Sequence, residues 1–272
     1  MVTGATDGIG RETARELAAR GARVLLHGRD ARRAEAALRY VAFSTGNDEL
    51  EVVLADFTSL RQVRTLAAEV HRRTDRLDVL VDNAGVWQAR RHLTGDGLET
   101  TFQVNHLAPF LLTNLLLDLL LAAAPSRVIV VSSGVHHRAA VDLGDLQGAR
   151  RYDGISAYGL SKLGNLLFTY ELARRLQGTG VTANALHPGA VSTKLLHAGF
   201  RASGDSPADG ARTAVYLASS PDVAGETGGY YVDERSASSS PASYDRELQR
   251  TFWEISEHLV GLAADRPSRA AG

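Results

Sequence analysis

Short, unbroken apolar runs alternate along the chain with longer stretches in which apolar positions recur every three or four residues. RVLLHG (23–28), EVVLADF (51–57), LDVLVDNAG (77–85), SRVIVVSS (126–133) and VTANALHPG (181–189) lack the in-out alternation of a half-exposed strand. They predict strands buried on both faces of a parallel sheet. The stretches between them predict helices starting near Ile9, Ala31, Ser59, Leu98 and Ala157, with another after Pro207. Such alternation gives βαβ units and a doubly wound parallel α/β sheet, one domain over residues 1–272. Small polar residues at 199–210 and 234–243 predict loops, and DRPSRAAG at the end predicts a tail from about residue 264.

One run, LAPFLLTNLLLDLLLAAA (107–124), approaches membrane-spanning length, but Asn114 and Asp118 interrupt it and no basic flank marks its ends. A buried helix, in the core or at an interface between copies, is the expectation. The charge balance agrees with a protein that seeks neither membrane nor nucleic acid, since the formal net charge is −1. There is no cysteine, which removes thiol chemistry and disulfides and fits the reducing cytoplasm. His136 and His137 lack a third ligand at metal spacing, so no metal is expected.

In a doubly wound sheet, ligands bind beyond the carboxyl ends of the strands, and the residues at those ends carry chemistry. Thr3, Gly4, Gly8 and Gly10 in TGATDGIGRETA open a helix in the way that lets backbone amides approach a pyrophosphate. The strand at 23–28 runs into His27-Gly28-Arg29, with a guanidinium where an NAD site usually places an acid. This favours NADP(H) and leaves NAD(H) possible, since Asp7 and Asp30 stand close by. Only two of the 30 basic residues are lysine, Lys162 and Lys194. Lys162 follows Tyr158 by one helical turn, on the same face. A phenol with an ordinary pKa of about 10 needs a neighbouring ammonium to approach neutral-pH acid–base work, and lysine, unlike arginine, is a compact point charge.

Thr3-Gly4-x-x-x-Gly8-x-Gly10, Asn83-Ala84-Gly85, Asn105, Ser133, Tyr158-x-x-x-Lys162 and Pro188-Gly189 together, over nearly the whole chain, resemble the short-chain dehydrogenase/reductase family. FQVNHLAPFLLTNLL, AYGLSKLGNLLFTYELARRLQGTGVTANALHPG and the long gap from Ser133 to Tyr158 are similar to its retinol dehydrogenase-like branch. The resemblance implies a Rossmann-like fold and NAD(P)-dependent hydride transfer between the cofactor and an apolar alcohol, aldehyde or ketone. Carried over by position, Tyr158 is the general acid/base, Lys162 lowers its pKa and binds the nicotinamide ribose, Ser133 holds the substrate oxygen, and Asn105 holds a water of the proton relay. Ser133 is preferred to Ser132 because strand alternation points only one of them into the cleft.

For the cofactor, the resemblance implies Gly4, Gly8, Ile9 and Gly10 at the pyrophosphate, Arg29 at the 2′-phosphate, Asp56 at the adenine, Asn83 at the adenosine side and Thr193 at the carboxamide. Thr3, Asp7, Phe57, Ala84, Gly85, Pro188, Gly189 and Val191 complete that set. It further implies a substrate lid over about 190–210 with Leu195, Leu196 and Phe200, a possible wall from Trp87 and Trp253, and a homodimer or homotetramer joined through the helix at 98–123 and the helix of Tyr158. A non-catalytic nucleotide sensor and a sugar-nucleotide epimerase are the alternatives. The former predicts an eroded Ser-Tyr-Lys set, the latter a larger C-terminal domain.

Three departures from the family pattern stand out. Only Met1 and Val2 precede Thr3 where a full first strand is expected, so Met1 is expected to be a misassigned or truncated start. The membrane anchor of animal retinol dehydrogenases is expected to be absent, which leads to the expectation of a soluble protein and a substrate other than retinol. Asp82 occupies the place of an asparagine before Asn83-Ala84-Gly85, with no consequence readable from sequence.

Overall fold

Capping side chains set the helix starts. Asp7 caps α1 (Gly8–Ala19), which leads into β1 (Val24–Gly28). Asp30 and Ser59 accept from Arg33 N and Gln62 N to begin α2 (Ala31–Thr45) and α3 (Leu60–Arg73), on either side of β2 (Leu50–Leu54). After β3 (Val79–Asp82) the long apolar stretch is not one helix. A short α4 (Thr100–Phe102) runs through a π-helical turn at Gln103–Leu107 into α5 (Ala108–Leu115) and α6 (Leu117–Ala122).

Then come β4 (Ser126–Val131) and the 22-residue α7 (Gly154–Arg175), capped by Asp153. β5 (Val181–His187), α8 (Lys194–Phe200) and α9 (Pro207–Ser219) follow. The chain ends in β6 (Tyr230–Val232), β7 (Arg235–Ser236) and α10 (Arg246–Leu259). The computed structural model describes residues 1–200 and 204–262. The side chain of Phe200, the middle of the expected lid and the expected tail lie outside the described residues.

The strands are parallel except for β6–β7, in the order β3-β4-β5-β6-β7 beside a β1-β2 pair. Val2 joins the two groups by bridging Leu26 on one side and Val81 on the other. Backbone bonds Val2 N to Leu25 O and Thr3 N to Val81 O (3.0 and 2.9 Å) make residues 1–3 the central rung. Alternation within buried strands builds two cores. Val128 and Val130 of β4 face α3, α5, α7 and α10, while Ile129 and Val131 face the layer of α1, α2 and α9. This is the doubly wound, Rossmann-like α/β domain that the apolar runs predict.

The apolar helix, expected in the core or at an interface between copies, is largely buried within the chain. Phe110, Leu111, Leu112, Leu116 and Leu120 are fully buried, and α10 lies over α7 with Trp253 packed against Phe110 and Phe168 and Phe252 against Phe102 and His106. Trp253 therefore belongs to the core and lines no cleft. Among the described residues no helix is long and apolar enough to cross a membrane.

Asp82, unexplained in the sequence, is buried at the end of β3. Its Oδ2 accepts from Thr113 Oγ1 at 2.7 Å and its Oδ1 has no partner. Burial pushes its carboxyl up to about 7, against the opposing Thr113 hydroxyl. A carboxyl raised in the folded state stabilises below its unfolded pKa, and that contribution is lost as pH rises to about 7. Asp82→Asn keeps an acceptor for Thr113 and removes the charge. We expect it to stabilise the protein at pH 8 by on the order of 3 kcal/mol and to leave it unchanged near pH 4, read from denaturant unfolding at both values; equal effects at the two pH values would disprove this account of Asp82.

Candidate active site

The carboxyl ends of the strands frame a cleft of about 820 Å³. Its first wall is the glycine turn, with Gly4, Asp7, Gly8, Ile9 and Gly10 along it. Gly4 adopts φ +65°, and a Cβ on it would come within 2.9 Å of Ala84 Cα, so glycine alone fits against the Asn83-Ala84-Gly85 turn. Asn83 closes that contact by donating from Nδ2 to Thr3 O (2.8 Å).

Thr3 departs from the expected set. It is fully buried and outside the cleft, with its hydroxyl accepting from Asn83 N (2.9 Å) and Ala84 N (3.0 Å) and donating to Val81 O (3.2 Å). Its position beneath the turn makes it the tie between the glycine turn and the Asn83-Ala84-Gly85 turn.

His27 is a residue that sequence reasoning passed over. Its Nε2 lies 3.0 Å from Ala55 O, which can only accept, so Nε2 carries the proton and Nδ1 accepts from Gly4 N at 3.2 Å. Burial pushes its pKa down to about 4, so it is a neutral imidazole fixed in one tautomer, stacked on Phe57 at 4.4 Å. Phe57 and Asp56 line the adjacent rim, where Asp56 Oδ1 accepts from Thr58 N and Oγ1. The same end of the cleft carries Arg29 and, unforeseen, Arg33.

At the opposite end, α7 projects Tyr158 and Lys162 from one face towards Ser133 beyond β4. Ser133 hydrogen-bonds the Tyr158 phenol, whereas Ser132 turns away and donates to Lys162 O at 2.8 Å. Lys162 Nζ stands 5.7 Å from the Tyr158 ring centre and donates to Val131 O at 2.9 Å. Both groups are buried. Burial pushes the phenol up to about 12, with only the Ser133 hydrogen bond opposing, and the ammonium down to about 8. Desolvation of the phenolate thus dominates at Tyr158, with Ser133 the group that opposes it. At neutral pH the pair is a protonated phenol beside an ammonium.

Asn105 sits in the π-helical turn, a distortion that frees helix backbone groups and often marks functional sites. Its side chain is occupied: Oδ1 accepts from Val86 N (2.7 Å), and Nδ2 donates to Val86 O (2.9 Å) and Ser161 Oγ (3.0 Å). It holds the loop after Gly85 in place, close enough that a Cβ on Gly85 would meet both Asn105 Oδ1 (3.5 Å) and Lys162 Nζ (3.7 Å).

The remaining wall comes from Pro188, Gly189, Val191, Thr193, Leu195 and Leu196, with Ala84 and Gly85 opposite. Val86, Val104 and Val135 add apolar surface that no motif announced, while Trp87 stays outside the lining. Among the described residues no group of three or more His, Cys, Asp or Glu could hold a metal ion.

A cleft with a glycine-turn cradle and basic side chains at one end, and a Ser-Tyr-Lys cluster at the other, has the fittings of an extended dinucleotide. Glycine at Gly4 and Gly10 lets this turn close against Asn83 and Ala84, since a Cβ at either position would clash there. Relatives agree. Residues 1–203 match the family model described as short chain dehydrogenase. The human protein named Retinol dehydrogenase 14 is 44% identical over 96% of this chain and 86% of its own length. A solved structure of an uncharacterized protein from Mycobacterium Paratuberculosis superposes with a TM-score of 0.80 at 37% identity, covering 95% of this chain and 91% of that one. A Shigella flexneri short chain dehydrogenase complexed with NADP gives a TM-score of 0.71 at 26% identity, covering 86% and 95%.

Proposed function

The chain belongs to the short-chain dehydrogenase/reductase family, in its retinol dehydrogenase-like branch, and from that premise we propose that it is an NADP(H)-preferring reductase of apolar aldehydes or ketones. An oxidoreductase acting on CH–OH and C=O groups with NAD(P) is what the family establishes. The observation that carries the finer reading is the Tyr158–Ser133–Lys162 cluster at the apolar end of the cleft. Support for NADP(H) comes from Arg29 at the rim and from the NADP bound in the Shigella relative.

When bound, the nicotinamide supplies the hydride. The chain's own task is to place the carbonyl and manage one proton. Ser133 Oγ orients the substrate oxygen, and the Tyr158 phenol, protonated at neutral pH, gives its proton to that oxygen as negative charge develops. Lys162 stabilises the phenolate left behind, which takes its proton back from solvent before the next turnover. Because the resting phenol is the acid form, reduction is the direction it is prepared for near neutrality, whereas alcohol oxidation first requires its deprotonation. Asn105 acts as a positioning residue, fixing the Val86 loop beside Lys162. Val86, Val104, Leu195 and Leu196 give the substrate side its apolar character and favour a hydrocarbon-rich carbonyl over a sugar.

The test is cofactor oxidation by purified protein with NADPH and NADH in parallel, against apolar aldehydes and ketones of graded chain length. The expected result is turnover with NADPH exceeding that with NADH by about tenfold or more, as one phosphate–arginine interaction allows. Binding of NADPH without consumption of any carbonyl would instead favour a non-catalytic sensor.

A further inference from the structure

Tyr158 and Ser133 come from different elements, the first from α7 and the second from the loop after β4, so their register needs a tie outside the cleft. The Ser133 carbonyl is gripped twice by one residue. His136 N donates to Ser133 O at 3.1 Å and the ring Nδ1 lies 2.6 Å from the same oxygen. A carbonyl can only accept, so Nδ1 carries the ring proton and Nε2 is left as an acceptor. It takes the N–H of Ser240 at 3.0 Å, from a segment 104 residues away. His136 is completely buried and is not part of the cleft lining. Burial pushes its pKa down to about 4, so at neutral pH it is an uncharged imidazole with both nitrogens in use.

The far end of this bridge returns to α7. Ser243 Oγ donates to Ser240 O at 2.6 Å, which leaves it to accept from Ser239 Oγ at 2.6 Å, and leaves Ser239 to accept from Tyr170 OH at 2.7 Å. Tyr170 lies on α7, about three helical turns after Tyr158. All four residues are buried, so the ladder is shielded from competing water. We infer that His136 is a positioning residue for the reaction: its imidazole ties the Ser133 main chain to the serine ladder on α7 and so sets the Ser133 hydroxyl against the Tyr158 phenol. With its carbonyl held, the peptide plane after Ser133 cannot turn and Oγ keeps its direction. Such control matters because a misplacement of about 1 Å can cost on the order of 10²-fold in rate.

The inference rests on the reading of Ser133 as the residue that orients the substrate oxygen, and the test separates the two ring nitrogens. His136→Asn places an amide near the Nδ1 position, where it donates to Ser133 O but falls short of Ser240, whereas His136→Gln places one near the Nε2 position, where it meets Ser240 N but passes Ser133 O. With NADPH and an apolar aldehyde, His136→Gln should lower the single-turnover rate about tenfold and His136→Asn less than about threefold, both with the Kd for NADPH within about twofold of wild type. His136→Asn, which leaves the buried Ser240 N–H unpaired, should nonetheless melt below His136→Gln. Ser133→Ala/His136→Gln should react within about twofold of Ser133→Ala alone, because His136 acts through Ser133. Rates that follow Tm, with His136→Asn the slower, or losses that multiply in the double variant, would mean a general structural role and overturn the inference alone. Failure of wild type to reduce any carbonyl, or full activity in Ser133→Ala, removes the reading of Ser133 and this inference with it.

Discussion

Tyr158→Phe is expected to lower the rate of carbonyl reduction by at least about 10²-fold, the lower end of what a positioned proton donor contributes, while changing the Kd for NADPH by less than about threefold. The separation follows from geometry. The phenol is buried between Ser133 and the face of α7 that carries Lys162, and removing one oxygen leaves the ring packing intact. The glycine turn with Gly4 and Gly8 and the Arg29 side chain, where the proposed cofactor's phosphates would bind, line the other end of the cleft. A phenylalanine also loses the hydrogen bond with Ser133, so the substrate oxygen has no acid within reach. Stopped-flow absorbance for the chemical step and fluorescence titration for NADPH distinguish the two quantities. Equal losses in both would mean that Tyr158 supports the cleft structurally and is not the acid.

The second large effect concerns the cradle. A Cβ on Gly10 would lie 2.3 Å from Asn83 Nδ2 and 2.4 Å from Gly4 O, and neither can retreat, because Asn83 Nδ2 is bonded to Thr3 O and Gly4 is pinned by His27. Gly10→Ala must therefore push the α1 start away from the turn at Asn83. We expect a stability loss of about 1–3 kcal/mol, a Tm lower by roughly 5 °C, and NADPH affinity weakened by at least about tenfold. Gly95→Ala is the control, since no atom lies within 4 Å of its Cβ position, and it should melt and bind as wild type. A Gly10→Ala protein indistinguishable from that control would show that the cradle does not depend on this close approach.

Much of this was legible in the order of residues, for physical reasons that differ by element. The strands were readable because burial on both faces removes polar residues from them, and Ile129 and Val131 against Val128 and Val130 show that both faces are indeed covered. Tyr158 and Lys162 were readable because one helical turn fixes their separation whatever surrounds them. Properties set by the surroundings were hidden. Local spacing placed an ammonium beside the phenol, but only the fold reveals that both are desolvated and that Lys162 Nζ is bonded to Val131 O. The TG motif suggested that Thr3 meets the cofactor, yet its hydroxyl is consumed beneath the turn at Asn83.

The π-helical turn at Asn105 carries no local signature, since a continuous apolar helix reads the same with or without one extra residue in a turn. Contacts between distant segments were the least accessible. Lys194 meets Asp7 across 187 residues, and α10 covers α7 although its sequence shows only an amphipathic helix. Asp82 stood out as a departure, and its burial beside Thr113 supplies the consequence that sequence lacked.

The central claim is that this cleft transfers hydride to an apolar carbonyl while Tyr158 provides the proton. Incubation with NADPH carrying deuterium at both C4 positions and an apolar aldehyde, followed by mass spectrometry of the alcohol, tests it most directly. The account predicts one deuterium on the carbinol carbon with wild type and essentially none with Tyr158→Phe over the same time. Undeuterated alcohol, or deuterated alcohol formed equally by the variant, would contradict it.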